Sequence, residues 1–164
     1  MWIRPKLAAS VCAVLAAACT FSTGSDAQVL MQRDVSLAMA LAIATTASAE
    51  CGAITSIAVV DRAGRIKVLL QGDGGSPHNL ELARRKAYTA RTFRTPSAVW
   101  AKRTETTNAG QRMLADVIPL GGGMPIMVGD ETIGGVGLSG AVGGQDKEEA
   151  CARSALAKVA DQLK

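Results

Sequence analysis

Histidine and aromatic residues are scarce in this sequence of 164 residues. It has one histidine, His78, and its aromatic residues are two tryptophans, one tyrosine and two phenylalanines. A catalytic triad would have to use His78, and a metal cage built from several imidazoles is excluded. The core must be made largely of Ala, Val, Ile, Leu and Met, whose small members each bury little area. We therefore expect a homo-oligomer, in which association adds burial.

The motifs of several enzyme classes are also missing. The sequence contains no G-x-S-x-G nucleophile elbow, no H-E-x-x-H or C-x-x-C metal or redox motif, and no P-loop. Three acidic residues, Asp146, Glu148 and Glu149, open a predicted helix, where they favour complementation of the helix dipole over a metal site. No catalytic residue is predicted, and enzymatic activity stays an open alternative.

The first 27 residues have the pattern of a secretory signal peptide. Arg4 and Lys6 precede the apolar run Leu7–Cys19, and the small residues Ser25 and Ala27 give an A-x-A-like cleavage site. The run is short for a membrane anchor. We expect a signal peptide at 1–27, a single domain at 28–164, and a periplasmic or secreted protein. The alternatives are an uncleaved N-terminal helix and a lipoprotein modified at Cys19.

Removal of 1–27 changes the charge and the cysteine count. The mature chain keeps 16 basic and 13 acidic residues, a net charge of +3, which is too mild to predict nucleic-acid binding. Cys51 and Cys151 remain, at the end of one predicted helix and near the start of another. An export compartment permits a disulfide between them, and the alternative is two small buried residues.

Hydrophobic periodicity and turn residues predict an α+β fold. Hairpin connections, rather than crossovers, indicate a five-stranded antiparallel sheet with helices packed on it. The predicted elements are helices over 31–49, 78–93, 96–103 and 145–163, and strands over 53–61, 65–71, 113–120, 126–128 and 132–140.

The region around His78 is the strongest candidate site. Ser76 as N-cap and Pro77 in the first helical position place His78 in the first turn of a helix. The helix dipole disfavours its protonation there, and a neutral imidazole is the form that ligates haem iron. The basic residues that follow could pair with haem propionates; they are Arg84, Arg85 and Lys86. The alternative is an ordinary polar residue before a solvated helix face, with Lys86 paired to Asp73.

Two glycine-rich segments leave backbone without side chains. Gly121, Gly122 and Gly123 precede Pro125 and permit close approach of a ligand or of a neighbouring strand. Gly134, Gly135 and Gly137 leave one face of the last strand bare, which favours helix packing over a flat ligand. Gly122 and Gly123 join the candidate binding residues.

Four blocks, in the same order, resemble the GlcG/HbpS-like family of small haem-binding proteins, which includes the C-terminal domain of PduO-type proteins. The blocks are "AVVDRAGRIKVLLQGDGG", "LARRKAYTA", "GGGMPI" and "ETIGGVGLSGAVGGQDKEEACA". The resemblance covers residues 33–164. It implies an α/β sandwich with a five-stranded antiparallel sheet, assembly into dimers or larger rings, and haem as cofactor.

The resemblance also guides the functional expectation. An exported member of the family binds haem outside the cell and signals to a sensor kinase, so a sensor or receptor partner is expected. Family histidines that ligate haem lie near the start of the domain, whereas this sequence has none between 28 and 77. His78 is therefore the one imidazole available as metal ligand, and the thioether substitutes are Met31, Met39, Met124 and Met127.

The expected function is exported binding of haem for uptake, storage or sensing. Two alternatives stay open at this point. One is an enzyme that processes an anionic metabolite held by the basic helix and the "GGGMP" segment. The other is a non-catalytic oligomeric scaffold in which the basic helix forms the subunit interface.

Overall fold

A computed structural model describes residues 28–163, so the predicted signal peptide at 1–27 and the lipoprotein cysteine lie outside the described residues. All elements belong to the unit that begins at Gln32. The helices are α1 (Leu37–Cys51), α2 (Asn79–Phe93), α3 (Ser97–Thr106) and α4 (Gly144–Lys158), and short 3-10 helices span Ala109–Met113 and Ala160–Gln162. The strands are β1 (Ser56–Val60), β2 (Ile66–Leu70), β3 (Gly123–Val128) and β4 (Glu131–Ser139).

The four strands form one antiparallel sheet in the order β2-β1-β4-β3. Two hairpins, β1–β2 and β3–β4, build the sheet, and the two hairpins join where β1 pairs with β4, from Ser56 opposite Ser139 to Val60 opposite Gly135. The fold is α+β with an antiparallel sheet, as the sequence predicts.

Side chains on β1 divide between the two faces of the sheet. Ile57 and Val59 belong to the large core under α1 and α4. Ala58 and Val60 point the other way and pack with Ala83 and Ala87 of α2. The sheet is therefore covered on both faces, by α1 and α4 on one and by α2 on the other. Small residues on the α2 side bring that helix close to the strands.

α1 and α4 lie against each other on the large-core face. Ser36 caps α1 by accepting a hydrogen bond from the amide of Met39, and Gly52 ends the helix with a positive φ of 91°. Cys51, at the end of α1, forms a disulfide with Cys151 of α4, with Cα atoms 5.7 Å apart. The disulfide alternative for the two cysteines is therefore correct.

The expectation of five strands is wrong, because residues 113–120 form no strand. Their backbone groups bond to α2 instead of to a neighbouring strand. The amide of Ile118 donates to the hydroxyl of Thr89, and the carbonyl of Val117 accepts from Arg85. Asp116 has a left-handed φ of 66°, which an extended strand does not allow. The segment 121–125 was predicted as a loop, but β3 already begins within it, at Gly123.

Within residues 28–163, no helix is long and apolar enough to cross a membrane.

Candidate functional site

His78 lies at the N-cap position of α2, one residue before the helix begins. The residue is exposed, and its side chain makes no capping hydrogen bond. A turn at Ser76–Asn79 contains His78, and in it the amide of Asn79 donates a hydrogen bond to the carbonyl of Ser76. The helix therefore begins two residues later than Ser76 as N-cap and Pro77 as first helical residue predicted, and His78 precedes the first turn instead of lying in it. The residue is accessible from solvent.

Arg84 and Arg85 lie on the next turns of α2, against the loop after α3. Arg84 forms ion pairs with Glu81 and Asp116, at 2.7 and 2.8 Å. These carboxylates raise the pKa of Arg84: the hydrogen bond that Arg84 donates to Glu81 is the largest cause, and partial burial opposes it. Arg85 donates through Nη2 to the carbonyl of Val117 at 2.5 Å. Among described residues, the buried Nε atom of Arg85 has no hydrogen-bond partner.

Lys86 points away from its two neighbours and into the protein. Its ammonium is buried, donates to the carbonyl oxygen of Leu138 at 3.0 Å, and lies 2.5 Å from Oε2 of Glu148. The second oxygen of Glu148 accepts from the amide of Gly140 at 2.7 Å. The pairing of Lys86 with Asp73 is therefore wrong, and the lysine joins α2 to β4 and α4.

Gly122 and Gly123 lie beside this ion pair. A Cβ atom on Gly122 would lie 2.8 Å from Oε2 of Glu148, and Gly122 has a positive φ of 104°. A Cβ atom on Gly123 would lie 2.3 Å from the carbonyl oxygen of Lys86. The amide of Gly123 donates to the hydroxyl of Ser97. The structure thus brings Lys86, Gly122 and Gly123 together, at a packed junction between α2 and the sheet.

Two glycines of β4 also allow α2 to approach the sheet closely. A Cβ atom at Gly135 would lie 2.4 Å from the carbonyl oxygen of Ala87, and one at Gly137 would lie 2.1 Å from that of Ala83. The bare strand face therefore packs against α2, which is the alternative that the sequence favoured over a flat ligand.

A cleft lies at the other end of α2 and was not predicted from the sequence. It has a volume of about 460 Å³ and is lined by four arginines and by residues 128–132 of the β3–β4 hairpin. We call it the arginine cleft; its arginines are Arg33, Arg62, Arg91 and Arg94. Arg91 and Arg94 belong to the basic α2 segment, but Arg33 and Arg62 come from before α1 and from the β1–β2 turn. Only the fold brings the three segments together.

Positive charge accumulates in the arginine cleft. Burial, and then the charges of Arg62 and Arg94, lower the pKa of Arg91. Arg91 donates through Nε to the carbonyl of Arg62. Arg62 itself pairs with Glu131, and Arg33 lies 3.9 Å from the same carboxylate.

The structure separates the predicted site residues into two groups. His78 is exposed and Arg84 and Arg85 are half-buried against residues 116 and 117, whereas Lys86, Gly122 and Gly123 are at the buried junction of α2 with the sheet. Within residues 28–163, no group of three or more His, Cys, Asp and Glu side chains is placed to hold a metal ion. Metal binding through His78 alone is left as a prediction.

The fold defines a class of protein: a small α+β domain in which a four-stranded antiparallel sheet is covered by helices on both faces. A family model described as "Haem degrading protein HbpS-like" matches residues 31–157. The chain belongs to this HbpS-like family, and the predicted resemblance is confirmed.

Solved structures agree with this assignment. A crystal structure of HbpS is 31% identical, covers 80% of this chain and 94% of its own, and superposes with a TM-score of 0.75. A double mutant of Streptomyces reticuli HbpS is 28% identical, covers 94% and 99%, and has the same TM-score. A PduOC:heme complex is 22% identical, covers 75% and 93%, and has a TM-score of 0.62, which shows a shared fold. Among curated proteins, no significant match is found.

Proposed function

We propose that this protein is an exported haem-binding protein. The observation that carries the proposal is membership of the HbpS-like family over residues 31–157. The fold shared with a PduOC:heme complex supports it, since that relative holds the same cofactor on the same scaffold. Haem binding is the function in which an accessible imidazole near cationic side chains has a direct use.

The exposed His78 and the half-buried Arg84 and Arg85 fit haem better than the buried junction does. The exposed imidazole of His78 lies at the start of α2, where an iron-bound haem could reach it from solvent. Arg84 and Arg85 are on the same helix and would hold propionates, sharing their existing hydrogen bonds. Lys86 is engaged with Glu148, and Gly122 and Gly123 are covered by α2, so these three would support the site from inside.

A hemin titration tests both the function and the ligand. We expect the chain purified without residues 1–27 to shift the Soret band, and His78→Ala to change that spectrum. Ser76→Ala, an exposed change two residues earlier, serves as control and should leave the spectrum unaltered. Absence of a Soret shift in the native protein would overturn haem binding. A shift that His78→Ala leaves unchanged would overturn only the assignment of the ligand.

Export is part of the proposal. The supporting feature is the basic, apolar and small-residue pattern of 1–27. Expression of the full chain followed by N-terminal sequencing should give a mature protein that begins at Gln28. A lipid-modified N-terminus at Cys19 would show that the exported protein is an anchored lipoprotein. An intact Met1 would overturn export.

Haem degradation is the second candidate function, because the family description names it. The hemin complex, incubated with ascorbate in air, should then lose its Soret band with release of iron, whereas a binding protein would keep the band.

An enzyme acting on an anionic metabolite is the other alternative. Such an enzyme would be stabilised by small acids and not by hemin in a thermal-shift screen.

We also propose that the protein is a homo-oligomer. Three large apolar side chains of α3 and the segment that follows it are exposed, namely Val99, Met113 and Leu114. Their burial between copies would add to a core made mostly of small residues. Light scattering behind a sizing column should give a multiple of the mature mass, and a monomer at micromolar concentration would overturn the proposal. A sensor or receptor partner would then bind the assembled form.

A further inference from the structure

The arginine cleft has more positive than negative charge. Four arginines line it against two acidic residues, Asp130 and Glu131, so the lining has an excess of two positive charges. Concentrated like charge at one concave surface raises the local concentration of anions.

The acidic residues leave two of the arginines unbalanced. Glu131 is shared by Arg62 and Arg33. In the part of the chain that the structure describes, no carboxylate lies within 4.0 Å of the guanidinium of Arg91 or Arg94. Arg91 uses its Nε on a backbone carbonyl and keeps its two terminal nitrogens for other partners.

The fold holds these two arginines together in spite of their repulsion. Arg91 is in the last turn of α2, and Arg94 is its C-cap residue with a left-handed φ of 54°. The negative end of the helix dipole offsets part of the charge. Burial, followed by the charges of Arg62 and Arg94, lowers the pKa of Arg91, and the charges of Asp34 and Asp61 offset this only in part. An anion in the cleft would relieve the remaining cost.

We propose that the arginine cleft binds a small anion with at least two carboxylate or phosphate groups. Guanidinium groups match both chemistries because their planar forks donate two parallel hydrogen bonds. The volume of about 460 Å³ fits a small molecule.

This site is separate from the proposed haem site. Arg91 follows His78 by 13 positions, which corresponds to about 20 Å along a helix axis. The two features lie at opposite ends of α2, so the inference does not rest on haem binding.

The test uses calorimetric titration of the chain without residues 1–27 with citrate and, separately, with pyrophosphate, at low ionic strength. Both anions, or one of them, should bind with one site per chain. Arg94→Gln should weaken binding about tenfold or more, as expected for loss of a charged hydrogen bond. Arg91→Gln should do the same, and Arg94→Gln keeps the test valid if Arg91→Gln fails to fold.

The control is Arg103→Gln, which removes the same charge from an exposed position on α3. It should leave the affinity within about twofold. Absence of binding by both anions at millimolar concentration would overturn the proposal. Equal weakening by Arg103→Gln would show diffuse charge attraction and would also overturn it. Displacement of the bound anion by hemin would show that the arginine cleft and the haem site are one site, and would overturn a separate anion site. The Soret test of haem binding does not depend on any of these outcomes.

Discussion

Lys86 and Glu148 form an ion pair in the interior, with Nζ and Oε2 2.5 Å apart and both side chains at most 5% exposed. Each charge has a further hydrogen bond, to the carbonyl of Leu138 and from the amide of Gly140. This pair connects α2 on one face of the sheet with α4 on the other, around the end of β4. Buried charges are tolerated here because they are paired and hydrogen-bonded.

Glu148→Gln should destabilise the protein strongly. The change leaves the ammonium of Lys86 buried without its counter-charge, which costs about 3 kcal/mol or more. Urea unfolding followed by circular dichroism measures the loss. The neighbouring Glu149→Gln is the control, since Glu149 pairs with Arg153 at the surface and should cost less than about 1 kcal/mol. Equal effects of the two changes would contradict a structural role for the buried pair.

The disulfide between Cys51 and Cys151 should contribute substantially to stability. It closes a loop with a sequence separation of 100 residues, which restricts the unfolded chain. The double change Cys51→Ala and Cys151→Ala should lower the free energy of unfolding by about 2–4 kcal/mol. Dithiothreitol should destabilise the native protein to a similar degree and leave the double variant unaffected. Sensitivity of the variant to the reductant would argue against this origin of the stability.

Gly137→Ala should disturb the contact between α2 and β4. The added methyl group would lie 2.1 Å from the carbonyl oxygen of Ala83, so the helix must move. We expect a loss of about 1–3 kcal/mol in the free energy of unfolding. Gly110→Ala is the matched control, because a Cβ there meets no atom within 4 Å and its φ is not positive. A stable Gly137→Ala variant would mean that α2 does not pack as closely as described.

Asp61 should make stability depend on pH in the acid range. Burial by itself would raise the pKa of Asp61, but hydrogen bonds from Arg65 and Ala63 outweigh it and lower the pKa in the folded state. The stabilisation is therefore full above the ordinary carboxyl pKa near 4 and is lost as the pH falls through the folded value. Asp61→Asn should be less stable at pH 7 and lose less stability from about pH 5 downward.

Thermal unfolding between pH 7 and pH 2 measures the dependence on Asp61. The exposed Asp73→Asn is the control and should keep the native pH profile. An Asp61→Asn variant with that same native profile would show that Asp61 does not contribute the acid-dependent stability.

Local sequence signals predicted most of the elements. Gly52 ends α1 as predicted, and turn residues at Gly64 and Gly129 separate the paired strands. The predicted start of α1 at residue 31 is wrong, because the helix begins at Leu37, after the cap at Ser36. Residues 113–120 misled the strand prediction because their apolar side chains are typical of a strand. Their amide and carbonyl groups nonetheless bond to Thr89 and Arg85, which lie about thirty positions away in the sequence.

The candidate site was predicted less completely. Arg84, Arg85 and Lys86 are consecutive, and their order alone does not show that Lys86 is buried while its neighbours face the loop at Asp116 and Val117. A signal did exist, because successive residues on a helix point about 100° apart. Lys86 lies three residues after Ala83 and one before Ala87, on the small-residue face of α2.

The sequence by itself determined the family, the α+β class, the four helices and the closeness of the one histidine to the start of α2, because these depend on local patterns and ordered blocks. Only the tertiary structure decided the number of strands, the partner of Lys86, the pairing of Cys51 with Cys151 and the existence of the arginine cleft. Each of these depends on groups far apart in the chain, and the energy of such contacts is settled only when the packed sheet brings them together.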